Sequence, residues 1–356
     1  GIAVNGLGHC HPAIVKCLEE RAHTILHCSN YFYNEPAVQT ARLIVENSCF
    51  DKVLFANSGA EANEGQIKLA RKYAKDHGHP ERFVVITMKE SFHGRTLATC
   101  TATGQHPVHR YFEPLPDGFR YAEFNNLDSV KAIMDEYVCA ILTEPVQGEG
   151  GVRPASREFL QGLRELCDEK GILLMFDEVQ VGSGRTGKLF AHQYYGVEPD
   201  TCSMAKALGS GVPIAAVCAK GEAAKVLTPG THGSTFAGGP LACALAATTL
   251  DVMLNEGVLD NCAEMGEYFR QQAHEVIEKH HPNAIQEIRG LGLIDGIQLK
   301  QPSGQPVVDL CFRDSKVLIN NTAGNVLRFI PPLIVGKEEI DIVIKAVDDA
   351  MTKLGW

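Results

Sequence analysis

No stretch of eighteen consecutive apolar residues occurs in this sequence, so no membrane-spanning helix is expected. Basic residues do not predominate. A net charge of -10 argues against a general role in binding nucleic acid. The twelve cysteines never fall into a Cys-x-x-Cys pair. Cys139, Cys218 and Cys243 sit in apolar surroundings and read as small core residues in a reducing cytoplasm, not as a disulfide or zinc framework. No basic segment opens the chain, so no signal peptide is expected in the residues given. The first residue is not Met, and the opening reads as the tail of a strand. A truncated view of a longer protein is expected. Internal repeats and low-complexity linkers are missing too. What is present is 356 residues of 45% hydrophobic composition, enough for a large core and, as a prior, two domains.

The chain is organised around residues 177 to 206. Gly171 to Met175 read as a glycine start and an apolar run without polar alternation, which predicts a strand buried on both faces of a parallel sheet. That strand delivers Asp177 at its carboxyl end, where ligands sit in open α/β sheets. A second strand, Thr201 to Ala205, ends one residue before Lys206. An acid and a lysine on one rim suit pyridoxal phosphate, which needs a lysine for its Schiff base and an acid beside its pyridinium nitrogen. Two plainer readings stay open for the pair alone: a Walker B-like acid that binds a divalent metal, and a solvated lysine.

Taken in order, the chain alternates strands and helices. His9 and His11 precede a helix expected from Pro12 to Leu26, and read as capping or packing groups in preference to metal ligands. An aromatic loop, Ser29 to Asn34, contains Tyr33 and stands before a helix opened by Pro36. A strand (52–56) runs into Ser58-Gly59-Ala60-Glu61, where small residues at a helix start expose backbone N–H groups to an anion. Phe83 to Met88 is a buried strand that leads to Phe92, able to stack on a flat ring, and Arg95, able to grip a carboxylate. Val138 to Thr143 precedes a glycine-flanked carboxylate, Glu149. A helix follows, with Ser156 as N-cap and Gly171 closing it. Gly182 to Gly187 resembles a phosphate cradle in composition, but no Walker A sequence is present. A strand (215–219), a Ser234-Thr235 turn and a helix (240–255) come next. The remainder reads as a small α+β domain: a helix (259–279), strands at 285–289, 293–299, 317–319 and 326–330, and a helix from Lys337 to Leu354. It contributes Arg328.

As a set, the motifs resemble fold-type I, class III pyridoxal-phosphate aminotransferases, and within them the acetylornithine aminotransferases of arginine biosynthesis. The resemblance rests on Gly-Leu-Gly-His-Cys-His-Pro (6–12), Ser-Gly-Ala-Glu-Ala-Asn-Glu (58–64) and Ser-Phe-His-Gly-Arg-Thr (91–96). Glu-Pro-Val-Gln-Gly-Glu-Gly-Gly (144–151), Asp-Glu-Val-Gln-Val-Gly-Ser-Gly-Arg-Thr-Gly (177–187), Met-Ala-Lys-Ala-Leu-Gly (204–209), His-Gly-Ser-Thr-Phe (232–236) and Arg-Phe-Ile-Pro-Pro-Leu (328–333) extend it over nearly the whole chain.

It implies an α/β large domain with a mostly parallel, seven-stranded type of sheet and a small C-terminal domain. The division expected is a remnant of an N-terminal segment at 1–20, a cofactor-binding domain at 21–240 and a small domain at 241–356. Lys206 and Asp177 are the implied catalytic residues. Ser58, Gly59, Ala60, Phe92, Glu178, Val179, Gln180 and Thr235 would surround the cofactor with them, Thr235 reaching the site of a neighbouring subunit in a homodimer. Arg95, Glu149, Ser234, Arg328 and Tyr33 would meet substrate, with Glu149 gating Arg328. No metal is implied. The implied reaction passes the side-chain amine of N2-acetyl-L-ornithine to 2-oxoglutarate in a cytoplasmic enzyme. Ornithine and succinylornithine are the alternative donors. His93 and Asn63 favour the acetylornithine type over the ornithine type, which usually carries Trp and Gly there. Ser210, Ala215, Ala237 and Gly239 depart from the family's usual residues, small for small.

Overall fold

In the computed structural model, which describes residues 1–356, apolar runs become strands as their lack of alternation predicts. They are β1 (Lys52–Ala56), β2 (Val84–Met88), β3 (Phe119–Ala122), β4 (Val138–Thr143), a minor hairpin of β5 (Val146–Gln147) and β6 (Arg153–Pro154), β7 (Leu173–Asp177), β8 (Thr201–Met204) and β9 (Ala215–Ala219). Seven of these form one sheet in the order β1-β9-β8-β7-β4-β2-β3. Strands β2, β3, β4, β7 and β8 are mutually parallel. β9 runs against both of its neighbours, β8 and β1. Every residue of β2, β4, β7, β8 and β9 is buried, which is why β2, β4, β7 and β9 read as largely apolar runs, while the hydroxyls of Thr201 and Ser203 in β8 are spent on buried hydrogen bonds.

The helices that cover the sheet have local causes. In Arg157–Lys170, Ser156 accepts from the Phe159 N–H at 3.1 Å, and Gly171 closes the helix at φ +62°. Phe159, Leu160, Leu163, Leu166 and Cys167 fall on its buried face at helical spacing. Because Gly171 is spent as the helix cap, the predicted strand starts later and runs through Asp177. The predicted helix at Pro12 stops at Ala22, four residues short of Leu26, and leaves Ile25 and Leu26 exposed. His11 caps its start, its Nδ1 accepting from the Ala13 N–H at 3.3 Å.

A second sheet follows from β10 (Ile285–Leu291), β11 (Ile294–Leu299), β12 (Asn320–Thr322) and β13 (Val326–Phe329), antiparallel in the order β10-β11-β13-β12. The strand expected at 317–319 lies three residues later as β12. The backbone at Lys316 turns left-handed, φ +59°, and the polar Asn320-Asn321-Thr322 pairs with β13 in its place. The edge strand β3 was not expected, since Phe-Arg-Tyr-Ala shows no clean pattern. The last helix, Lys337–Leu354, has the bounds that its periodicity predicts. Leu7 near the N-terminus belongs to the same apolar core as Phe329, Leu333 and Met351. No single helix is long and apolar enough to cross a membrane.

The glycine-rich loop 182–187 is not a phosphate cradle. Arg185 within it is buried, and its Nη1 donates to the carbonyls of Leu293 (2.7 Å) and Pro331 (2.9 Å). A side chain on Gly292 would meet the Arg185 carbonyl at 2.3 Å, so the second sheet abuts this loop directly. Burial pushes the Arg185 guanidinium down to about 10, with Cys262 and then Asp295 opposing the shift, so it stays charged at neutral pH. Arg185→Ala strands two buried carbonyls and a cavity. We expect it to cost about 3 kcal/mol of stability, read as a lowered urea midpoint at unchanged slope.

Candidate active site

The carboxyl ends of β7 and β8 open on a cavity of about 420 Å³. Asp177, the last residue of β7, pairs in register with Ser203 of β8. Three residues past Ser203, Lys206 opens a short turn with φ +46°. That conformation is strained for a lysine and is held by the buried structure around it. Asp177 and Lys206 both line the cavity. Burial lowers the Lys206 amine from its ordinary value, while Glu149 and Asp177 oppose the shift.

Every contact to the Asp177 oxygens is a donor. Oδ2 accepts from Asn63 Nδ2 (2.7 Å) and faces His93 Nδ1 at 2.8 Å. Oδ1 accepts from the Val179 N–H (3.0 Å). The carboxylate is the form that these surroundings satisfy. Behind it, Ser203 Oγ and Gln66 Nε2 both donate to Asn63 Oδ1, and Thr201 Oγ1 donates to Gln66 Oε1. This network fixes which way the Asn63 amide points. The Nε2 of buried His93 has no protein partner.

A second acid shares the cavity. Glu144 Oε2 accepts from the Phe92 N–H at 3.1 Å. Burial, and then the charge of Asp177, push its carboxyl well above the usual carboxylate range. Phe92 lies at the wall, with the Arg95 guanidinium 5.4 Å from its ring centre. The helix Gly59–Asp76 starts at the same cavity. Ser58 caps it through the Glu61 N–H (3.2 Å), so the amides of Gly59 and Ala60 remain for an anion. A Cβ on Gly59 would lie 2.6 Å from Val179, so only glycine allows this helix end to approach β7 so closely.

On the far side, β13 projects Arg328 from the second sheet. The side chain is buried, and its Nη1 donates to Glu149 Oε1 (2.6 Å) and Gln180 Oε1 (3.2 Å). Asn320 Oδ1 accepts from its Nε at 2.8 Å, which gives the polar strand β12 a purpose. Thus Gln180, Glu149 and Arg328 form one cluster drawn from both sheets.

Six expected residues do not line this cavity: Glu149 and Arg328 stand behind Gln180, and Ser234, Tyr33, Thr235 and Glu178 lie elsewhere. Tyr33 is fully exposed and does not line the cavity. Thr235 is exposed, while its neighbour Ser234 reaches Asn57 Nδ2 at 2.9 Å. Glu178, expected beside the cofactor, faces away. Its carboxylate accepts from the N–H groups of Ala191 and His192 and faces His192 Nδ1 at 3.2 Å. Glu178 lies one residue past the end of β7, and these donors turn its side chain away from the cavity that Asp177 lines. The readings passed over Asn57 and Glu144 and gave Asn63 and His93 no contact with Asp177. Asn63 and Gln66 carried a signal: both are polar positions within the buried stripe of their helix.

A family model described as Aminotransferase class-III matches residues 1–351. The acetylornithine aminotransferase of Caldanaerobacter subterraneus is 47% identical over 354 residues, 99% of this chain and 89% of that one. The acetylornithine aminotransferase of Methanocaldococcus jannaschii is also 47% identical, covering 99% and 88%. Among solved structures, N-acetylornithine aminotransferase from Stenotrophomonas maltophilia is similar at a TM-score of 0.85, with 37% identity and coverage of 99% and 89%. Ornithine aminotransferase from Toxoplasma gondii is similar at 0.93, with 34% identity and coverage of 100% and 85%.

The His192 contact has a pH consequence. Burial opposes the charged ring, yet Cys49 and Glu178 outweigh it and push His192 up to about 9. The group is therefore more basic folded than unfolded, where about 6.5 applies. Its contribution to stability is full below about 6.5 and disappears as pH rises through about 9. The gap in urea midpoint between the natural chain and His192→Gln should narrow steadily across that window.

Proposed function

The chain belongs to the class-III aminotransferases, and we propose that it transfers the side-chain amino group of N2-acetyl-L-ornithine to 2-oxoglutarate. The products are N-acetyl-L-glutamate 5-semialdehyde and L-glutamate, a step of arginine biosynthesis. One observation carries the reading: a half-buried lysine and a hydrogen-bonded aspartate enter one cavity from adjacent strand ends, beside a helix N-terminus.

These residues fit pyridoxal phosphate. Lys206 Nζ would carry it covalently, Asp177 would face its ring nitrogen, and Phe92 would lie against the ring. Val179 and Gln180 would flank it, and the amides of Gly59 and Ala60, with Ser58 beside them, would hold its phosphate. When bound, the group supplies an electron sink for the carbon that bears the substrate amine. The chain's own residues do the rest. Asp177, locked by its donors, keeps a negative charge at the base of the cavity. Glu144, its carboxyl pushed up by burial and by Asp177, resists a second charge there. The Lys206 amine, lowered by burial, takes the proton from the terminal carbon of acetylornithine and returns it at the other end of the transfer.

Arg95 pairs with no carboxylate in this chain, and we assign it a carboxylate of the substrate. Arg328 is held by Glu149 at 2.6 Å. Release of that pair frees Arg328 for the α-carboxylate of 2-oxoglutarate, so one pocket serves both partners in turn. The full exposure of Tyr33, with Phe236 70% exposed beside Thr235 and Ser234, supports a homodimer in which this edge completes the neighbouring cavity. Twelve unpaired cysteines suit a reducing cytoplasm.

Lys206→Ala is expected to lower glutamate formation from acetylornithine and 2-oxoglutarate by about 10²–10⁴-fold or more. Turnover at the natural rate would remove the lysine from its role. With the intact enzyme, acetylornithine should give the highest kcat/KM among acetylornithine, succinylornithine and ornithine. A higher value for ornithine would sink the acyl assignment and leave the class untouched. Glu144→Gln keeps a neutral side chain of the same shape. It should hold cofactor affinity within about threefold, by fluorescence titration, whereas Glu144→Ala should weaken it at least about tenfold.

A further inference from the structure

Outside the cavity, one cluster has the make-up of a nucleophile, a base and its orienting acid. Cys49 lies three residues beyond the helix Glu35–Glu46, just before β1, and is partly exposed. Its Sγ is 3.5 Å from His192 Nε2. The other ring nitrogen, Nδ1, is 3.2 Å from Glu178 Oε1. Glu178 is fully buried, and backbone N–H groups of Ala191 and His192 also point at its oxygens. It can only accept, so the Nδ1 proton stays on the Glu178 side and Nε2 is turned to the sulfur. The rings of Phe50 and Phe190, 5.4 Å and 5.1 Å from the imidazole, clamp it in that pose. Sulfur, imidazole and carboxylate stand in a row, the arrangement that activates nucleophiles in general.

The other cysteines differ in kind. Where their thiols have a partner, as at Cys100, Cys139 and Cys311, it is a backbone carbonyl. Burial pushes the thiols of Cys139 and Cys243 up to about 12, which makes them inert.

We propose that Cys49 is a modification site: a nucleophilic thiol activated by His192 that takes small electrophiles before any other cysteine of the chain. His192, charged at neutral pH, donates its Nε2–H to the sulfur and stabilises the thiolate, the thiol proton going to solvent. With a haloacetamide, the sulfur lone pair forms the S–C bond as the C–I bond breaks and iodide leaves. With a small disulfide, a new S–S bond forms as the old one breaks, and the departing thiolate takes up the proton.

The test is timed alkylation of the holoenzyme with substoichiometric iodoacetamide, each cysteine's rate being read from its tryptic peptide by mass spectrometry. Cys49 should react about tenfold or more faster than Cys10, which is exposed but has no imidazole partner. His192→Gln should bring Cys49 to the Cys10 rate or below and leave Cys10 unchanged. A Cys49 rate no higher than that of Cys10 in the natural chain overturns the proposal, as does a Cys49 rate indifferent to His192→Gln in a folded variant. Should that variant fail to fold, the ranking within the natural chain decides. Cys49→Ser should abolish the fast phase and leave transamination intact.

Discussion

The structure depends on how Asp177 is held. A buried carboxylate is costly unless donors replace the water it has lost. Here a helix supplies Asn63, the loop after β2 supplies His93 and the chain itself supplies the Val179 N–H. Each element is tied to the acid, and through it to the others. Loss of one partner leaves a nearly buried charge short of a donor, a penalty of about 1.5–3 kcal/mol. The orientation of Asn63 is in turn fixed from behind by Ser203, Gln66 and Thr201, so the polar network reaches well into the core.

Much of this was legible from residue order. Strands buried on both faces advertise themselves as unbroken apolar runs, so β4 and β9 have the bounds expected. The Ser156 cap and the Gly171 stop mark their helix without help from tertiary contacts. Asp177 and Lys206 were placed on a common rim because strand ends in such sheets point the same way. What escaped depends on partners distant in sequence. Arg185 sits in a loop of phosphate-binding composition, and only the carbonyls of Leu293 and Pro331 reveal its use. β12 is polar because it braces Arg328, a reason absent from its own residues. Glu178 is the instructive miss. The N–H groups of Ala191 and His192 draw it away from Asp177, yet adjacency in a motif suggested a shared task.

The Glu149–Arg328 pair shows how two sheets make one wall. Glu149 hangs on a glycine-flanked turn beside the central sheet, its carbonyl accepting from Thr322 of β12 at 2.7 Å, while Arg328 rises from β13. Gly148 must lack a side chain, since a Cβ there would overlap the Gln180 amide at 2.2 Å. The cluster is compact because glycine allows three polar groups to crowd.

The reversed direction of β9 has a topological effect. A parallel partner for β8 would require the chain to travel back across the sheet through a crossover of a dozen or more residues. Since Met204 of β8 lies opposite Ala216 of β9, the return is a short hop, and residues 211–214 never leave the cavity mouth. Lys206 is therefore held between the two strands that meet at the Met204–Ala216 rung. A fold that turned β9 around would keep the same lysine in sequence but set it on a long leash.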